Sequence, residues 1–145
     1  MKSRLNAVCY VAMCLLGIYI SVYQNHLNTI SSEYSISSTI MGTIVSLHFV
    51  GSIITPIISG EIGDRIGKKL VVIIAFVVFN IGLALIFFFA NIFLLAVGIF
   101  LIGCAFSTIE GMLSGVLTDN NREHRSKVID ISQLFFCVGA IAGPL

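Results

Sequence analysis

Gly60-Glu61-Ile62-Gly63-Asp64-Arg65-Ile66-Gly67-Lys68-Lys69 packs five charged side chains into ten positions, and it stands between two long runs that carry none. Upstream, residues 37–59 are apolar or small apart from His48, with Pro56 near the downstream end. Downstream, residues 70–90 are almost wholly aliphatic and aromatic. Each run reaches the ~20 mainly apolar residues that a helix needs to cross a bilayer. Working outward, residues 5–24 and 92–118 are two further runs of that kind. A last run, 128–145, is about 18 residues long, at the short limit for spanning.

Composition agrees. Of 145 residues, 57% are hydrophobic and 10% charged, against roughly 25% charged in ordinary soluble domains. A globule of this size could not hide so much apolar surface from water, so the expected solvent is the bilayer. Net charge is +1, which points to neither nucleic acid nor an acidic partner. With one crossing per run, one side collects Lys2, Arg4, Arg65, Lys68, Lys69, Arg122, Arg125 and Lys127, all eight basic residues. The other side holds the loop 25–36, with Glu33 and His26, and a tight turn at Ala90-Asn91. The positive-inside rule then puts the N-terminus in the cytoplasm.

Lys2 and Arg4 before an apolar stretch also suit a signal peptide, but the stretch is long and no Ala-x-Ala site follows, so an anchor is expected. Cys9, Cys14, Cys104 and Cys137 lie in apolar runs without Cys-x-x-Cys spacing, and read as packing residues. No His-x-x-x-His pair occurs, and no metal or cofactor is expected. Gly103, Ser107, Gly111 and Gly115 recur every four positions, and Gly139 and Gly143 repeat the spacing. Such faces let helices approach closely in lipid. Pro56 is tolerated in a membrane helix or kinks it.

Within the charged decapeptide, Gly60 suits a close helix approach and Gly67 a turn. Asp64 can accept a hydrogen bond from Arg65 or sit at a helix N-terminus. Lys68 and Lys69 anchor the segment at the membrane face. The whole run resembles the signature loop between helices two and three of the major facilitator superfamily, Gly-x-apolar-small-Asp-Arg-x-Gly-basic-basic. That resemblance implies an all-α integral membrane bundle, here its N-terminal part, with four full transmembrane helices and a partial fifth. It implies a multi-pass carrier of a small-molecule solute in the plasma membrane, with Asp64 and Arg65 latching the cytoplasmic gate. A solvated, topogenic loop is the plainer alternative.

Glu110 is the carboxylate deepest in an apolar run, and charged groups at that depth cost at least ~2.5 kcal/mol, so such residues are usually functional. Ser107 at i−3 and Ser114 at i+4 give it a partly polar face that would line a cavity. A structural glutamate bonded to another helix is the alternative. Residues 103–110 together with 132–140 resemble helices four and five of the fucose-permease-like sugar carriers, whose helix-four glutamate falls at Glu110. That implies sugar binding and proton coupling. The chain departs from that subfamily at three places. Gln24 stands near its helix-one carboxylate, Ser114 near its asparagine, and Gly98 or Ile99 where many facilitators have arginine.

His48 and Gln133 complete the polar set expected to meet substrate or protons, His48 because it can titrate near neutral pH. Asn80 is expected to pair with another helix, and Asp130 with Arg125 or Lys127 at the interface. Gly139-Ala140-Ile141-Ala142-Gly143-Pro144 resembles the helix-five motif of drug-efflux facilitators and keeps an antiporter reading open. A third reading is a non-transporting membrane subunit that packs through its glycine faces. Gly111-Met112-Leu113-Ser114-Gly115 has one residue too many for the Gly-x-Ser-Gly of an intramembrane protease, so an enzyme is not expected. A facilitator needs two six-helix halves, so 145 residues are expected to need a remainder of the carrier or partner helices.

Overall fold

The computed structural model describes residues 2–145, with side chains from Arg4 onward; Lys2, counted above among the basic residues, lies outside the described side chains. The elements are α1 (Lys2–Asn25), α2 (Leu27–Glu33), α3 (Ser38–Ile66), α4 (Lys68–Phe88), α5 (Ile92–Asn120) and α6 (Arg125–Ala142). A bilayer leaves backbone groups no water to bond, so helices are what these apolar runs must form. Among the described residues, four helices are long and apolar enough to cross: Arg4–Asn25, α3, α4 and α5. The 18-residue α6 carries Arg125, Lys127 and Asp130 in its first two turns and is not among these four.

Polarity marks where a chain leaves lipid, not where its helix stops. Thus α3 continues from Ser59 to Ile66, straight through the segment read as a loop. It ends where Gly67 takes φ 93° and its N–H donates to the Gly63 carbonyl. That left-handed backbone is why glycine stands there. At the other end, Ser37 accepts from the Ile40 N–H at 3.3 Å as the N-cap. Asn91 caps α5 in the same way, accepting from the Phe93 and Leu94 N–H groups at 2.8 and 3.4 Å.

The chain divides into two compact units. One comprises residues up to His26 together with Leu113–Leu145. In it α1 and α6 run parallel with a constant offset. The Tyr10 and Phe135 rings stack at 5.3 Å, a Cβ on Gly139 would meet the Cys14 carbonyl, and one on Gly143 would meet that of Ile18. Gly17 returns the contact, facing the Phe136 carbonyl and the Ala140 N–H. At the basic end Asn6 is gripped by the α5–α6 turn. The Asn120 and Asn121 amides donate to its side-chain oxygen at 2.8 and 3.1 Å, and its own amide donates to Asn121 at 3.2 Å.

The second unit is Leu27–Met112. Its core at one end is Met41, Ile44, Leu95 and Ile99, with Leu27, Ile30, Tyr34 and Ile36 packed on it. The helix α2, read as plain loop from its polarity, exists because Leu27 and Ile30 reach this core. Ser31 Oγ donates to the Ile36 carbonyl at 2.8 Å and closes the turn that follows. The Tyr34 hydroxyl lies 2.7 Å from the Ile86 carbonyl, in the last turn of α4 where helical donors run out, and 3.1 Å from the Phe89 carbonyl, which also accepts from the Asn91 N–H. Tyr34→Phe is therefore expected to loosen residues 31–36 by about 1 kcal/mol, read as faster amide exchange there. Burial and neighbouring Glu33 push the Tyr34 hydroxyl above its usual value of 10.0. A raised folded-state value means the bond is intact at and below pH 10.0 and fails as pH rises through the shifted value.

Candidate functional site

Two regions carry the expected chemistry: the charged end of α3 and the polar residues at membrane depth. In the first, Glu61, Asp64 and Arg65 lie on the last two turns of α3, and Lys68 and Lys69 open α4 across Gly67. Arg65 donates to Glu61 at 2.5 Å, one helical turn back, with the two side chains 75% and 69% exposed. This replaces the expected Arg65–Asp64 bond, since i,i+4 residues face each other on a helix and neighbours do not. An exposed pair of this sort adds little stability.

Asp64 is exposed and makes no hydrogen bond or ion pair among the described residues. It lies at the C-terminal, negative end of α3 rather than at a helix N-terminus, a position that disfavours an acid. Gly60 is not a close-approach point either: a Cβ there would meet nothing within 4 Å. That role falls to Gly63, where a Cβ would lie 2.9 Å from the Met112 sulfur. The segment is thus a helix end held down on one face, with Asp64 and the Glu61–Arg65 pair exposed to outside partners.

At depth, Glu110 is half-buried on α5. About 15 Å of helix separates it from Asn120 at the basic end, well inside a ~30 Å hydrocarbon core. Beside it Gly111 is exposed, and a Cβ there would meet nothing within 4 Å, so this part of the helix face is open. Ser107 does not share that face as expected. Its hydroxyl donates to the Ser52 carbonyl at 2.8 Å.

The reason lies four residues away. Pro56 has no N–H, so the Ser52 carbonyl lacks its helical donor, and Ser107 supplies one from α5. Ser52 Oγ in turn lies 2.9 Å from the His48 carbonyl and 3.2 Å from that of Gly103. A Cβ on Gly103 would meet the His48 carbonyl, and one on Gly51 would lie 2.8 Å from that of Phe100. This seam explains His48, which is 3% exposed with its ring 5.9 Å from that of Phe106. Contact between His48 and a solute would require the seam to open.

The stripe 103–115 is therefore mixed: Gly103 and Ser107 are packed, and Gly111 is open. Gly139 and Gly143 are used against α1, so packing alone accounts for the glycines of the efflux-like cue. Asp130 is exposed without an ion pair among the described residues. Asn80 donates to the Phe76 carbonyl of its own helix at 2.8 Å instead of to another helix. Ser114 is half-buried one turn beyond Glu110, and Gln24 and Gln133 are exposed. The α1–α6 register sets Gln133 level with Val8, sixteen residues before Gln24. At 1.5 Å per residue they stand about 24 Å apart along the pair and do not share a site.

Three features escaped the sequence reading. The Pro56–Ser52–Ser107 relation was legible as a proline with a serine at i−4. Asn6, with Asn120 and Asn121, was visible as an amide near the end of an apolar run. The reciprocal approach of Gly82 and Gly98, where each Cβ would lie within 2.9 Å of the other's carbonyl oxygen, left no signal, since Gly82 is a lone glycine in its run and Gly98 falls outside the four-residue spacing of Gly103, Gly111 and Gly115.

A family model described as Major Facilitator Superfamily matches residues 7–145. The glucose transporter GlcP of Staphylococcus epidermidis (strain ATCC 12228 / FDA PCI 1200) is 29% identical over 135 residues, covering 90% of this chain and 30% of that protein. An uncharacterized MFS-type transporter of Bacillus subtilis (strain 168), YwfA, is 32% identical over 114 residues, covering 74% of this chain and 27% of that protein. The chain thus spans less than a third of the length of these curated relatives. No solved structure gives a significant match. The signature segment, the spanning helices and a family match over nearly the full length agree: this multi-pass membrane chain belongs to the Major Facilitator Superfamily.

Proposed function

We propose that these residues serve a secondary carrier that moves a small polar solute, a sugar, together with protons by alternating access. The observation that carries the reading is Glu110, a half-buried carboxyl at membrane depth beside the open surface at Gly111. In hydrocarbon a carboxyl group is tolerated where it binds a proton or a polar ligand. Similarity to a glucose transporter over 90% of the chain supports sugar as the solute class. Asp64 and the Glu61–Arg65 pair form the latch: an acid disfavoured where it stands, with no partner among the described residues, suits contact with another part of the carrier. The basic residues at the α3–α4 and α5–α6 turns support a cytoplasmic N-terminus in the plasma membrane. The carrier's other half would complete the midplane site.

The test uses the native membrane product reconstituted in vesicles, with glucose as the probe. Glu110→Gln is expected to lower uptake driven by an imposed pH gradient at least tenfold while leaving glucose exchange at equal pH largely intact. Driven uptake equal to wild type would remove Glu110 from proton coupling. Asp64→Asn is expected to slow both modes together, because a gate serves each.

A further inference from the structure

The face of α4 directed away from its neighbours carries one amide in an otherwise apolar row. Val71, Ala75 and Gly82 are buried on one side of the helix. On the opposite side Leu70, Ile73, Val77 and Phe87 are 47%, 50%, 55% and 81% exposed. Together with Asn80 and Ala84 they recur at alternating intervals of three and four residues, the heptad spacing of a two-helix seam. Asn80 is exposed, and its one hydrogen bond among the described residues goes to the Phe76 carbonyl. Its carboxamide oxygen and second N–H therefore have no partner among the described residues, close to the middle of a 21-residue helix expected to cross the bilayer. A polar group left there is costly.

We propose that this face is an interface between two copies of the chain, with α4 packed in parallel against α4 and Asn80 bonded to Asn80. The chemistry selects the occupant. Copies inserted in one membrane share an orientation, so Asn80 always lies at the depth of its counterpart. A carboxamide is both donor and acceptor, so two of them satisfy each other. An unlike helix would need its own polar group at that depth. In a heptad seam a single asparagine fixes register and strand number, and in lipid such amides hold helices together where apolar contact alone gives little.

The experiment places donor and acceptor fluorophores on the N-terminus of the native product and measures energy transfer as its membranes are diluted with added phospholipid. Transfer that falls with dilution is expected. Asn80→Leu should need about tenfold higher protein density for the same transfer, and Asn80→Gln should lie between them. Val77→Cys in a background without other cysteines should oxidise to a band of doubled mass, an independent readout if Asn80→Leu disturbs folding. Transfer absent at every density, or unchanged by Asn80→Leu, would overturn the proposal. So would oxidation of Val77→Cys to a second cysteine placed elsewhere in the same product, because the chain's own remainder would then cover the face.

Discussion

Gly139→Leu is expected to prise α6 from α1 and to cost about 3 kcal/mol or more. The added Cβ would fall on the Cys14 carbonyl oxygen. That oxygen belongs to a backbone already bonded within α1, so no side-chain rotation can relieve the clash. Facing it, Gly17 lies just as close to the Phe136 carbonyl, so sliding along the seam closes one gap while opening the other. Lipid offers no compensating hydrophobic drive between the helices. The check is a disulfide between Tyr10→Cys and Phe135→Cys, whose parent rings stack at 5.3 Å, in a background without other cysteines. The bridge should form when Gly139 is kept and fail when the Gly139→Leu substitution is added. Gly111→Ala is the control, with nothing within 4 Å of its Cβ, and should gain up to ~1 kcal/mol from helix propensity. If the bridge survives Gly139→Leu, the close α1–α6 approach is wrong.

Gly103→Leu should be as damaging, costing about 3–5 kcal/mol, because it opens the α3–α5 seam where α3 depends on it. Its Cβ would strike the His48 carbonyl. The separation would also withdraw Ser107 from the Ser52 carbonyl, 2.8 Å away, leaving the oxygen freed by Pro56 unpaired in hydrocarbon. The hydrogen-bond part can be isolated. Ser107→Ala alone is expected to cost about 1–3 kcal/mol, the penalty for an unmet buried acceptor. In a Pro56→Ala background the restored N–H can serve Ser52, so Ser107→Ala should then cost much less. Thermal unfolding of the four proteins in detergent reads the coupling. Equal costs in both backgrounds would mean that Ser107 is not the proline's substitute donor.

These two seams mark where sequence reading stops. The regular spacing of Gly103, Ser107, Gly111 and Gly115 identifies a helix face able to approach another, and nothing in it separates Gly103, packed on His48, from Gly111, which meets nothing. Ser107 and Glu110 look like one polar face because i and i+3 residues adjoin, yet the need of Ser52 turns Ser107 toward α3. Gln24 and Gln133 look like one polar set until the α1–α6 register separates them.

Residue order and composition suffice for the class of structure, the order of its spanning helices, the basic character of one set of turns and the family. The physical reason is that lipid admits few solutions: a bare backbone must be helical, apolar runs of sufficient length must cross, and charge must gather at the ends. Packing in three dimensions was needed to settle which glycines touch, where α3 stops, that Arg65 takes Glu61 rather than Asp64, and that Asn80 looks outward. Those outcomes depend on which backbone stands across from a residue, and periodicity along one helix carries no record of its neighbour.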